Sequence, residues 1–193
     1  MPLPGGHGTR RRGQLLESAI FDAVLAGLAE SGYDRLTMED VAVRAGTGKA
    51  TLYRRWQSKE ELVLATLRSK MPPPEDEPDT GSVRGDLIGQ LQCMVDTMRT
   101  PTGTAMWGIL AHQSNTPIVQ AVHSTVILPY QQAMLNILRR GAERGEVRPS
   151  AVTSLVAEVG PVLIRQHYFA AGPPADAAVQ EIVDQVIMPI LRP

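Results

Sequence analysis

The sequence predicts an all-α chain in which a small N-terminal three-helix unit, arranged as a helix-turn-helix, precedes a larger helical domain. Three observations predict it. Apolar residues recur at helical spacing along most of the 193 residues. Helix start and stop signals crowd the first third of the chain. No segment alternates apolar and polar residues as a half-buried strand does.

Leu16, Ile20, Val24 and Leu28 recur every fourth residue, flanked by Ala19, Ala23 and Gly27, which is the apolar stripe of one amphipathic helix. It is expected to stop at Ser31-Gly32, because glycine accepts the left-handed conformation that ends helices. Thr37 then has the features of an N-cap: Asp40 stands three residues on as capping-box partner, and Leu36 and Val41 are spaced as a hydrophobic staple. The short helix it opens stops at Ala45-Gly46. After the turn Gly46-Thr47-Gly48 a third helix runs to about Trp56, and Ser58 with Glu61 forms a second capping box that opens a fourth.

Met71 to Gly81 carries Pro72, Pro73, Pro74 and Pro78 among Glu75, Asp76, Glu77 and Asp79, a composition that supports neither a helix nor a core strand and reads as a solvated connector. Helical patterns follow at about 83–100, 104–115, 118–144, 151–171 and 176–191. Pro129, Pro161 and Pro189 fall inside three of them, where each removes a backbone hydrogen bond and kinks or divides the helix. The expected organisation is a flexible basic arm at 1–12, a helix-turn-helix domain with its linking helix at 13–70, a connector at 71–82 and a helical domain at 83–193.

Net charge is −1, yet residues 1–70 hold 11 Lys and Arg against 8 Asp and Glu, and the remainder holds 8 against 12. A basic head on an acidic body points to a head that meets a polyanion. The single cysteine, Cys93, cannot form an internal disulfide and fits a reducing compartment. No run approaches the roughly 18 apolar residues of a membrane span, and the first residues lack a secretory plan, so a soluble cytoplasmic protein without membrane association is expected.

Placing the third helix at 100° per residue with Leu52 at the centre of its inner face turns Trp56 and Gly48 inward. Ala50 and Arg54 then face outward, with Thr51 and Tyr53 on the flanks and Lys49 near the start. Arginine can bond guanine or phosphate bidentately, the hydroxyls can bond phosphate oxygens, and a small alanine permits close approach or touches a thymine methyl. The second helix of a helix-turn-helix is the one that enters the major groove. The stretch LTMEDVAVRAGTGKATLYRRWQSKEEL, Leu36 to Leu62, resembles the signature of the TetR family of regulators, including the Leu52-Tyr53 pair and the Ser58-Lys59 step. The resemblance is specific over about the first 70 residues; beyond them it rests on helix number and the GPVLIR segment at Gly160.

That resemblance implies double-stranded DNA as partner, with contacts from Thr37, Lys49, Ala50, Thr51, Tyr53, Arg54 and Lys59. Thr47 is counted with them, although Thr47-Gly48 departs from the family's frequent apolar-serine pair. Arg10, Arg11 and Arg12 suit either a flexible arm that reaches an adjacent minor groove or a solvated basic tail. Other chemistries find no pattern. Gly46 to Thr51 fails as a phosphate loop at Val43 and after Lys49, and His7, His112, His123 and His167 lack metal-ligand spacing. No GxSxG elbow occurs. No enzyme activity, metal or cofactor is therefore expected.

In the larger domain, Val179, Ile182, Val183, Val186, Ile187 and Ile190 form an apolar stripe wider than a local packing face needs. With Leu155, Val156, Val159, Val162 and Leu163 on the preceding helix they are the candidate homodimer interface, a four-helix bundle of two helices per subunit. The family resemblance implies the same interface. A dimer holds two recognition helices roughly 34 Å apart and so reads a palindromic operator. Met94, Met98, Met106, Trp107, Leu110, Tyr130, Met134 and Tyr168 are candidate lining for an effector pocket, since methionine adapts to irregular apolar ligands and the aromatic residues add polar handles. Few charges fall in these helices, which points to a small, largely apolar or aromatic effector. The function expected is a ligand-released transcriptional repressor; the alternative is a helical ligand sensor or carrier without operator recognition.

Overall fold

The computed structural model describes residues 7–71, 77–112 and 116–192, with side chains from residue 13 onward and excluding that of residue 112. Among them the chain is helical throughout, in the order α1 (His7–Arg35), α2 (Met38–Arg44), α3 (Lys49–Tyr53), α4 (Lys59–Lys70), α5 (Val83–Met98), α6 (Pro101–His112), α7 (Pro117–Val122), α8 (Leu128–Glu143), α9 (Ser154–Ala171), α10 (Asp176–Glu181) and α11 (Met188–Leu191). Helix α1 already includes the backbone of Arg10, Arg11 and Arg12, so the arm expected at 1–12 is helical from His7; residues 1–6 lie outside the described residues.

The first unit forms for local reasons. Ile20, Val24 and Leu28 of α1 are buried, and a Cβ on Gly27 would stand 2.5 Å from the Leu36 side chain, so this glycine lets α1 and Leu36 meet. Gly32 turns the chain with φ 74, as the expected stop requires. Thr37 caps α2: its hydroxyl accepts from the Asp40 amide at 3.1 Å and donates to the Asp40 carboxylate at 2.6 Å, while Leu36 and Val41 are both buried. Ser58 caps α4 through the Glu61 amide (3.1 Å), and the Glu61 carboxylate returns to the Gln57 amide at 2.6 Å.

The second unit is a helical bundle of α5, α8, α9 and the last helical stretch, with α6 and α7 between it and the first unit. Helix α1 packs against α6, and α4 against α6 and α7. Two of the three internal prolines are accommodated by π-helical turns, His123–Ile127 and Ile182–Ile187. Leu128 donates its amide five residues back to His123, and Met188 to Val183, each immediately before a proline. A widened turn there relieves the clash between the proline ring and the carbonyl four residues earlier. Pro161 behaves otherwise, and α9 runs through it.

The connector is only partly as expected. Residues 72–76 lie outside the described residues, but Glu77 and Pro78 are docked rather than solvated. Arg140 of α8 donates to the Glu77 carboxylate (2.5 Å) and the Pro78 carbonyl (2.7 Å), and Asn136 donates to Glu77 at 2.7 Å. A long cationic side chain next to an acidic stretch offers it better partners than water alone. Beyond it, Asp86 is fully buried and accepts from the Thr80 amide (2.6 Å), the Thr80 hydroxyl (2.8 Å) and Arg144 (3.3 Å).

Candidate functional site

Helix α3 is short, and its orientation is set by two anchors. Leu52 is 0% exposed, and Trp56 is buried with its ring 5.7 Å from that of Phe21 on α1. The α-helix ends at Tyr53 rather than at Trp56, yet Trp56 still donates its amide to Leu52 at 2.9 Å, which holds the last turn in place. The opposite side presents Lys49, Ala50, Tyr53 and Arg54, all exposed, with Thr51 half-buried beside them. Gly48, expected to point inward, is exposed, because it is the N-cap rather than part of the helix.

The cations differ in how they are held. Lys49 pairs with Glu39 of α2 and lies 5.6 Å from the Tyr53 ring centroid. The Arg54 guanidinium makes no hydrogen bond or ion pair with a described residue and is the most available of them. Lys59 faces elsewhere: its ammonium donates to the Tyr33 carbonyl (2.8 Å) and the Asp34 carbonyl (3.3 Å), 4.4 Å from the Tyr33 ring centroid. It satisfies carbonyls at the end of α1, as a cation at a helix C-terminus does. Thr37 is exposed but occupied in its cap, and Thr47 is half-buried in the turn.

A cavity of about 200 Å³ lies in the second unit between α5, α6, α8, α9 and the first π-turn. Met94, Met106, Trp107, Tyr130 and Met134 line it. Met98, Leu110 and Tyr168 do not: Met98 is packed in the core, Leu110 packs against it, and Tyr168 lies behind the Trp107 indole, ring centroids 6.0 Å apart. Sequence reasoning missed Gln90, Leu91 and Pro161, which line the wall, and Met71, which brings the end of α4 to it. Gln90, Met94 and Thr97 share a helical face at spacings of four and three, the one signal that would have revealed Gln90. Burial raises the Tyr130 hydroxyl above its usual pKa.

The candidate dimer face divides. Val179, Val183 and Ile187 are buried within their own chain, because the last helical stretch packs against α5 and α9. They present nothing to a partner. Val156, Val159, Leu163, Ile182 and Ile190 are half-buried and Val186 is exposed. Leu155 and Val162 of the expected stripe are exposed by 77% and 40%, and the structure adds Phe169, exposed by 44%, at the same seven-residue spacing along one side of α9.

Two family profiles match this chain: "Bacterial regulatory proteins, tetR family" over residues 20–66 and "Tetracyclin repressor-like, C-terminal domain" over 77–186. An HTH-type transcriptional regulator of Mycobacterium tuberculosis is 35% identical over 179 residues, covering 91% of this chain and 87% of the relative. The DNA-binding transcriptional repressor TetR of Mycobacteroides abscessus is 29% identical over 184 residues, covering 94% and 97%. Among solved structures, the transcriptional regulator FadR of Bacillus subtilis in complex with stearoyl-CoA superposes with a TM-score of 0.70 at 18% identity, covering 90% of this chain and 97% of that one. No helix among the described residues is long and apolar enough to cross a membrane.

Proposed function

This chain belongs to the TetR family of bacterial transcriptional regulators, and from that membership we propose that it is a homodimeric repressor released from a palindromic operator by a small, largely apolar or aromatic effector. The observation that carries the reading is the polarity of α3. Leu52 and Trp56 tie it to α1, and Lys49, Ala50, Tyr53 and Arg54 stand together on the free side. A surface of this chemistry suits the major groove, with Arg54 available for a base edge and Lys49 and Tyr53 for phosphates. Lys59 supports the reading indirectly, by fixing α4 to the end of α1.

Dimerisation through α9 and the last helical stretch follows from the exposed Leu155, Val162, Phe169 and Val186, whose apolar surface calls for cover. Release follows from how the cavity meets the DNA-reading unit. Met71, at the end of α4, contributes to its wall, and Arg68 of α4 donates to Thr125 in the π-turn at 3.3 Å. A ligand that packs better against a displaced Met71 shifts the population toward a dimer whose recognition helices no longer match the operator spacing.

The test is a gel shift with the DNA upstream of the native gene. One retarded, salt-sensitive complex with a footprint symmetric about a dyad is expected, dissociated by an effector identified by thermal-shift screening. A protein that binds such ligands and retards no specific DNA contradicts the operator part of the reading.

A further inference from the structure

Two polar side chains that line the cavity have no hydrogen-bond partner among the described residues. The Trp107 indole N–H is fully buried and has no acceptor among the described residues. Gln90, only 3% exposed, lines the same cavity, and its carboxamide bonds to no described residue. Leaving a buried donor unmade costs free energy that a ligand acceptor recovers. The rest of the deep wall, with Leu91, Met106 and Met134, is apolar and buried. The charged lining residues Glu158 and Arg165 are half-buried and exposed, so charge is confined to the mouth.

Volume limits what enters. Apolar cavities of about 150 Å³ accept benzene, and this one is about 200 Å³. On the reading of this cavity as the effector site, we propose that the effector class is a compact, uncharged, single-ring aromatic molecule bearing a carbonyl-type acceptor, held by the Trp107 N–H and the Gln90 carboxamide. The ring occupies the methionine-lined wall, and the acceptor oxygen completes the two unmade bonds. A long acyl thioester, the ligand in the Bacillus subtilis FadR structure, exceeds this space and brings charge that the deep wall does not meet.

Three probes with equal numbers of non-hydrogen atoms separate the terms: acetophenone supplies ring and acceptor, isopropylbenzene the ring alone, and benzoate a charge. The full-length protein, labelled with ¹⁵N at tryptophan, gives one indole resonance each from Trp56 and Trp107, the latter assigned by its loss in Trp107→Phe. Acetophenone is expected to move the Trp107 resonance downfield and to bind about tenfold more tightly than isopropylbenzene, the ordinary value of one net hydrogen bond. Benzoate is expected to bind more weakly than either. In Gln90→Leu, checked for folding by circular dichroism, the ratio of acetophenone to isopropylbenzene affinity is expected to shrink several-fold. Equal affinities in the wild type, tighter benzoate binding, no binding by any probe up to its solubility, or saturation by stearoyl-CoA alone would each overturn the assigned class. The effector reading fails separately, if compounds that do occupy the cavity leave operator affinity unchanged.

Discussion

Leu52 and Trp56 decide what Lys49, Tyr53 and Arg54 can do, because a five-residue helix has too few internal hydrogen bonds to hold its own orientation. Leu52→Ala is expected to cost about 2 to 5 kcal/mol, the usual range for emptying a fully buried leucine site. Urea denaturation with parallel gel shifts checks it; a variant as stable as wild type contradicts the anchoring role. This placement was legible in the sequence, since the 100° step from Leu52 separates Trp56 from Arg54 without any tertiary information. Lys59 was not legible. A lysine after an N-cap reads as a cation available to phosphate, and only the folded chain shows the Tyr33 and Asp34 carbonyls within its reach. Gln90 was obscured for a related reason: its spacing with Met94 and Thr97 marks a shared face, but only the folded chain shows that this face lines a cavity.

Helices with local punctuation were the readable ones. Thr37 with Asp40 and Ser58 with Glu61 mark starts that the structure reproduces, because a cap is made by residues three positions apart. The π-turns were not readable: Pro129 and Pro189 mark where the ladder must break, but whether it kinks, divides or widens depends on neighbouring packing. The stripe on the last helical stretch misled in the same way. Its width was evident, yet Val179, Val183 and Ile187 are covered by α5 and α9 of the same chain, a division that periodicity does not contain. At the α5–α8 junction, burial acts to raise the Asp86 pKa, but the bonds from Thr80 and Arg144 outweigh it and the carboxyl lies below its ordinary value of 3.8. A depressed folded pKa contributes stability that is fully present above the unfolded value and lost as pH falls through the folded one. Asp86→Asn is therefore expected to cost about 1.5 to 3 kcal/mol near neutrality, as hydrogen bonds to a charged group do, and to flatten the loss of stability below about pH 4. Urea midpoints measured from pH 7 to pH 3 check both. Equal acid sensitivity in the variant contradicts the assignment.

At the scale of the whole molecule, the chain joins a DNA-reading unit to a ligand-sized cavity through α4, and the palindromic operator proposed for it would require two copies. Leu155→Asp, on the exposed side of α9, is expected to move sedimentation from dimer toward monomer at micromolar protein while leaving helix content intact. A dimer that persists unchanged places the interface elsewhere. Operator affinity should fall with it, since one α3 contacts only a single half-site. The central claim, that the free side of α3 reads DNA, is tested most directly by fluorescence anisotropy of wild type and Arg54→Ala on the footprinted operator over a series of salt concentrations. Loss of a base contact should weaken binding by about 1 to 3 kcal/mol, and loss of a phosphate contact should reduce the salt slope by about one per subunit, in a variant whose thermal unfolding is unchanged. Affinity and salt slope both equal to wild type would show that the Arg54 face does not touch the operator.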